Sequence, residues 1–173
     1  MGAAALGFAR VRRRPEPPAP DAWPSVSVIV PARNEADGIE TCLERLRACD
    51  YPQDRYEIIV VDDFSTDGTA ARVKARQPAG HAPTDDQRVR LVEMDDAGTR
   101  SGPHKPAAVA QGVAAAEGEV ILTTDADCRV PPSWIRSMVK RCTPETPFVA
   151  GPVAYEHNDL FLPRLQALEL MRS

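Results

Sequence analysis

Aromatic residues are scarce: four Phe, three Tyr and two Trp make up 5% of the 173 residues. A core must therefore rest on Val, Ile, Leu and Ala, which dominate a hydrophobic share of 43%. No run approaches the roughly 18 apolar residues that a membrane-spanning helix requires. The apolar stretch Met1–Ala9 is too short for an anchor, and its arginines follow rather than precede it, the wrong order for a secretory signal. That order suits the cytoplasmic end of a membrane segment outside this chain; the plainer reading is a disordered tail. Positive charge is not in excess. Lys and Arg number 21 against 25 Asp and Glu, a net charge of −4, which gives no electrostatic footprint for nucleic acid. Cys42, Cys49, Cys128 and Cys142 form no CxxC pair and do not cluster with the three histidines, which argues against zinc. Free thiols in a reducing, cytoplasmic setting are expected.

What is present begins with linker chemistry. Arg10 and Arg12–Arg14 are followed by five prolines between Pro15 and Pro24, so residues 1–24 are expected to be a disordered basic and proline-rich tail and the folded part to start near Ser25. From there strand and helix patterns alternate. Val26–Val30 is a β-branched run closed by Pro31. Ile39, Cys42, Leu43 and Leu46 recur at helical spacing. Glu57–Val61 is a second strand, and a helix through Lys74 follows, with Ser65 or Thr66 expected as its cap. Val89–Met94, an Ala-rich helix over 105–116, Val120–Thr124 and a helix opened by Pro131-Pro132 complete the alternation. Phe148–Pro152 is expected as a fifth strand, and Leu160–Met171 as a last amphipathic helix. Its stripe of Leu162, Leu165, Leu168 and Met171 is a candidate for self-association. Strands alternating with helices specify an α/β fold, a mostly parallel sheet covered on both faces.

In such sheets ligands bind beyond the carboxyl ends of the strands. Those ends carry Pro31-Ala32-Arg33-Asn34-Glu35, Asp62-Asp63 and Asp125-Ala126-Asp127. Two carboxylates at i and i+2 repel each other unless a cation lies between them, and hard oxygens suit Mg2+ or Mn2+. The bland alternative is an acidic turn capping the next helix. Asp62 and Asp63 can accept hydrogen bonds from a base or ribose, or cap the following turn through Ser65 or Gly68. Asn34 or Glu35 can cap the first helix, or the backbone of their turn can flank a bound base. Lys105 opens a helix, where an anion such as phosphate is favoured, and Arg100 and His104 are weaker candidates of the same kind.

Taken together, Val-Ser-Val-Ile-Val-Pro-Ala-Arg-Asn-Glu, Ile-Ile-Val-Val-Asp-Asp-Phe-Ser-Thr-Asp-Gly-Thr, Lys105 with Ala107-Ala108, and Thr-Thr-Asp-Ala-Asp resemble the family 2 glycosyltransferases over residues 25–155. The resemblance implies the GT-A fold, with residues 25–173 as the nucleotide-sugar-binding domain, and transfer of a sugar from a nucleoside diphosphate, UDP by preference, with inversion. It implies that Pro31, Ala32, Asn34 and Glu35 border the nucleotide, and that Asp63 contacts the base with Asp62 beside it. It further implies that Lys105, Asp125 and Ala126 lie by the donor, and that Asp127 with Asp125 ligates Mn2+ or Mg2+. The acidic motif that supplies the family's base, and the Gln-x-x-Arg-Trp motif of many members, have no match here. Glu156, Asp159 and Glu169 fit no motif, so no base is assigned.

The chain is therefore expected to be the donor half of a longer enzyme, with the acceptor half largely missing. The acceptor can be a glycan, a lipid or a small molecule, and the full-length protein can associate with the cytoplasmic face of a membrane. Three alternatives stand beside this reading. One is a non-catalytic nucleotide-sugar-binding module. A second is a phosphatase of the haloacid dehalogenase type with Asp125 as nucleophile. The third is a nucleotidyltransferase, weakened by the lack of glycine over residues 31–35.

Overall fold

The computed structural model describes residues 17–76, 88–94 and 104–151. The chain divides into two compact units. One spans Pro20–Val139, and the other holds, among the described residues, 17–19 and 140–151.

The larger unit is a four-stranded parallel sheet: β1 (Val26–Ala32), β2 (Tyr56–Asp62), β3 (Val89–Glu93) and β4 (Val120–Thr123), in the order β3-β2-β1-β4. Four helices connect and cover it: α1 (Ile39–Arg47), α2 (Thr69–Lys74), α3 (His104–Ala115) and α4 (Trp134–Val139). The expected α/β architecture is therefore present, with helices on both faces. Side chains alternate along each strand. Val26, Val28, Val30, Ile58, Val60 and Leu122 turn to one face and pack with Ile39, Leu43, Leu46, Val73, Ile135 and Val139 of α1, α2 and α4. Ile29, Ile59 and Val61 turn to the other, where α3 lays Ala108 on them. A fully buried Ile or Val contributes about 1.5–3 kcal/mol, and β1 and β2 alone bury eight such residues at 0–1% exposure.

Three details depart from the sequence expectations. Pro31 does not close β1. It pairs in register with Val61, and the strand runs on to Ala32. The Ile29 carbonyl accepts from Thr124 N–H, so Ile29 and Pro31 face the β4 side, and the β1–β4 pairing ends at Ile29. A missing N–H is harmless where no neighbouring strand remains. The fifth strand over Phe148–Pro152 is absent as far as Gly151, the last described residue. Phe148 is 83% exposed, and the segment holds one β-branched residue, Val149. In its place that unit has a bridge in which Thr143 and Thr146 exchange N–H···O bonds of 3.2 and 2.9 Å. Folded contacts also reach upstream of Ser25. The Trp23 ring lies edge-on to Tyr51 at 5.3 Å, with the Arg136 guanidinium 4.8 Å from its centre. The expected helix over 160–171, and with it the self-association surface, lies outside the described residues. Among the described residues no helix is long and apolar enough to cross a membrane.

Two glycines permit close approach. A methyl group on Gly112 of α3 would lie 2.5 Å from Ile29 Cγ2, so the helix settles onto the sheet only without a side chain there. A methyl on Gly118 would lie 2.5 Å from the Ser27 backbone nitrogen, while Gly118 N–H donates to Ser27 Oγ at 2.8 Å. Backbone cannot yield as a side-chain tip can. Gly118→Ala is expected to destabilise by about 2–3 kcal/mol, the upper part of the overpacking range, measured as a lowered urea midpoint at unchanged slope.

Candidate functional site

A parallel sheet in this order has a switch point between β1 and β4. The chain leaves β1 towards β2 on one side and returns from β3 to β4 on the other, opening a crevice at the carboxyl ends. The loops after β1 and β4 flank it, and they carry Arg33–Gly38 and Thr124–Ser133.

The first loop is held from outside itself. Asn34 N–H donates to Ser65 Oγ at 2.9 Å, Glu35 N–H to Thr69 Oγ1 at 2.9 Å, and Ala36 N–H to Asp67 Oδ2 at 2.9 Å. In return Thr66 N–H donates to Asn34 Oδ1 at 2.8 Å. Asn34 sits at φ 56°, a left-handed conformation that Asn tolerates better than most residues. Asp67 Oδ1 also accepts from the Thr69 hydroxyl at 2.6 Å and from its N–H at 3.0 Å. These bonds, chiefly those from the Thr69 hydroxyl and the Ala36 amide, hold the Asp67 carboxyl below its usual range.

The expected caps are therefore corrected. Neither Ser65 nor Thr66 caps α2, because both are engaged with the first loop, and Asp67 takes the first amide of α2 instead. Neither Asn34 nor Glu35 caps α1 by its side chain. The Glu35 carbonyl accepts from Gly38 and Ile39 N–H at 3.0 and 2.9 Å. The Ser-Thr-Asp-Gly-Thr run was readable as a local turn. Its role as a clamp on residues 31–34 positions away is a tertiary fact.

The second loop rests on α1. A methyl on Gly38 would touch the Ala126 carbonyl at 3.4 Å and Asp127 Cα at 3.6 Å. The buried Cys42 thiol reaches the Asp125 carbonyl at 3.7 Å. Burial, and after it Cys128, Asp127 and Asp125, push this thiol up to about 12, so it stays protonated. All four cysteines are free. Ala126 is buried, and the side chains of Asp125 and Asp127 on either side of it are exposed.

Lys105, the second residue of α3, places Nζ 2.7 Å from Asp125 Oδ1. Glu35 joins this group. Its carboxyl is raised above the ordinary value by burial, then by Asp127, Asp125 and Asp67, with Lys105 opposing. The β1 and β4 loops thus bring Glu35, Lys105, Asp125 and Asp127 to one place, with Pro31 and Ala32 at the base of the first loop.

Asp62 and Asp63 end the neighbouring strand and are buried, at 6% and 4% exposure. Asp62 Oδ2 accepts from Ser65 N–H at 3.2 Å, the expected turn cap, while its Oδ1 is buried without a hydrogen bond. Asp63 Oδ2 faces the Arg33 guanidinium at 3.5 Å. Phe64, which sequence reading passed over, adopts φ 56° with its ring 42% exposed, a strained conformation for an aromatic residue. Its pattern signal was weak, since a single Phe in a turn marks nothing by itself. Arg100, Glu156, Asp159 and Glu169 lie outside the described residues. His104 is the first residue of α3.

The donor set suits a hard divalent cation. Among the described residues no group of three ligating side chains would hold a metal by itself. Mg2+-type sites instead use one or two carboxylates and complete the shell with phosphate oxygens and water. Asp125 and Asp127 offer that arrangement, and Glu35, raised first by burial and then by these two, adds a third carboxylate. A phosphatase nucleophile at Asp125 would need a first-strand position; here the residue follows the fourth strand and is paired with Lys105.

Two outcomes test this geometry. Thr69 is 0% exposed, and Thr69→Val leaves the half-buried Glu35 amide without its acceptor. The expected loss is about 1–3 kcal/mol in urea unfolding. Glu35 has a folded value raised above 4.5, so its ionisation disfavours the folded state at neutral pH; this penalty fades as pH falls through the folded value towards 4.5. Glu35→Gln should raise the melting temperature at pH 7 by about 1–2 °C, a screened, part-exposed effect. The gain should vanish near pH 4 in melts compared across pH.

Comparison with known proteins identifies the family. The family model described as glycosyl transferase family 2 matches residues 27–171. An undecaprenyl-phosphate 4-deoxy-4-formamido-L-arabinose transferase from Photorhabdus laumondii is 32% identical over 79% of this chain and 39% of its own length. A mannosyltransferase from Pyrobaculum calidifontis, solved with GDP-Man and Mn2+, superposes with a TM-score of 0.64 at 35% identity, covering 84% of this chain and 41% of that one. Glucosyl-3-phosphoglycerate synthase from Mycobacterium tuberculosis, solved with Mn2+, UDP and glucosyl-3-phosphoglycerate, gives a TM-score of 0.50 at 28% identity over 67% of this chain and 38% of that one. This chain spans 24–39% of the length of the first curated relatives. By motif order, sheet topology and family match, the chain belongs to glycosyl transferase family 2, with a GT-A type fold.

Proposed function

We propose that the β1–β4 crevice binds a nucleoside-diphosphate sugar in a cation-dependent manner, and that the whole protein transfers the sugar with inversion. The observation that carries this reading is the meeting of Glu35, Lys105, Asp125 and Asp127 beside two buried aspartates at one sheet edge. Asp62 Oδ1 is an acceptor with no protein donor, suited to a base or ribose N–H or O–H, and Asp63 lies next to it. Pro31, Ala32 and Asn34 form the wall of the same crevice. The Lys105 ammonium is placed for the diphosphate, and Asp125 and Asp127 for the cation. Bound Mn2+ or Mg2+ would supply positive charge against the leaving diphosphate.

UDP is the preferred nucleotide and GDP the alternative, since the similar structures hold one or the other. An inverting transfer needs a base for the acceptor hydroxyl, and none is assigned among the described residues. A lipid-linked acceptor is the first to assay, because a relative is named for undecaprenyl phosphate. The unassigned base also supports a second reading, a module that binds nucleotide sugars without turning them over.

Calorimetric titration of UDP, GDP and their sugars, with and without Mn2+, tests the donor site. One nucleotide should bind only with Mn2+, and Asp127→Asn should weaken it at least tenfold, ~1.4 kcal/mol. Absence of nucleotide binding in every condition would sink the proposal.

A further inference from the structure

Lys105 stands where the acidic loop needs positive charge. Its Nζ is 2.7 Å from Asp125 Oδ1, with 63% and 51% of the two side chains exposed. The contact joins α3 to the β4 loop, and it faces three carboxylates, Glu35, Asp125 and Asp127, with Asp67 also contributing at Glu35. Among the described residues, Lys105 is the cation that acts against the charge on Glu35. Arg33, on the loop after β1, is directed to Asp63 instead.

We propose that Lys105 is an internal counter-ion that occupies the cation's place on Asp125 until the donor binds, and then moves from the carboxylate to the diphosphate. The inference rests on the donor-site reading above. An ammonium and a divalent ion cannot both contact one carboxylate oxygen without strong repulsion, because like charges at such separations interact over a few ångströms. Cation binding to nucleotide-free protein therefore displaces Lys105. The displacement is easy: the pair is exposed and so weak, and a lysine is a point charge on a flexible four-carbon stem. The ammonium also has a second anion to go to, since the first turn of a 12-residue helix favours negative charge beside it. One side chain thus keeps the empty site from accumulating unbalanced negative charge, and couples cation binding to donor binding.

The two roles of Lys105 have opposite signs, which distinguishes them from simple support of the loop. A structural lysine, once removed, would weaken both ligands. A lysine that only contacts diphosphate would leave nucleotide-free Mn2+ affinity unchanged. The experiment is a Mn2+ titration of the full chain read by the paramagnetic resonance of free Mn2+, without nucleotide and with UDP, for wild type, Lys105→Met, Lys105→Arg and Asp127→Asn. Without nucleotide, Lys105→Met should bind Mn2+ about two- to fivefold tighter, the scale of an exposed ion pair, and Lys105→Arg should match wild type. With UDP and Mn2+ present, Lys105→Met should bind UDP more weakly. If Lys105→Met binds Mn2+ no tighter than wild type while Asp127→Asn loses it, the counter-ion role is overturned and the donor site stands. If Asp127→Asn binds Mn2+ as wild type does, the cation site itself is misplaced and both fall.

Discussion

The site depends on three consecutive backbone amides. Asn34, Glu35 and Ala36 leave β1 without a strand or helix to receive their N–H groups, and each is taken by a side chain from the segment after β2: Ser65, Thr69 and Asp67. Two of these bonds are partly buried, where an unpaired amide is costly, so the two loops support each other. This clamp decides where Glu35 lies, and Glu35 is the carboxylate that the β4 loop approaches. Asn34 closes the exchange from the other direction through Thr66.

The sheet then places everything else. Because β1 lies between β2 and β4, the acidic ends of β2 and β4 flank the loop after β1. The close packing of α1 under Ala126 and Asp127, through Gly38 and Cys42, fixes the height of the metal-binding candidate loop above the sheet. On the opposite face Gly112 lets α3 approach Ile29, which brings the start of that helix, and Lys105 with it, to the same edge. The electrostatics follow from this convergence. Burial first, and then Asp127 and Asp125, raise the Glu35 carboxyl, and Lys105 offsets part of the repulsion.

Much of this was legible in the residues. The β-branched runs of β1 and β2 bury their side chains on both faces, a pattern that survives any detail of packing, and the helical spacing of Ile39, Cys42, Leu43 and Leu46 has one meaning. Strand ends marked by Asp62-Asp63 and Asp125-Ala126-Asp127 followed from the order of apolar runs and acidic residues. The misreadings fell where local chemistry permits two outcomes. Pro31 stayed within its strand because the neighbour on its amide side had already ended. Phe148–Gly151 did not pair because a strand exists only with a partner, which no local pattern supplies.

The α/β alternation, the strands, the family and the residues that gather at the carboxyl edge can be read from the chain, because periodicity and strand-end chemistry are local properties. How those residues meet was settled by the packing of the whole fold. It turned Ser65 and Thr66 from expected caps of their own helix into parts of a clamp on another loop, joined there by Asp67 and Thr69. It set Lys105 against Asp125, 20 positions away in the chain. Hydrogen-bond donors and charges choose partners by distance in space, and that distance is created when the sheet order and the helix packing are settled together.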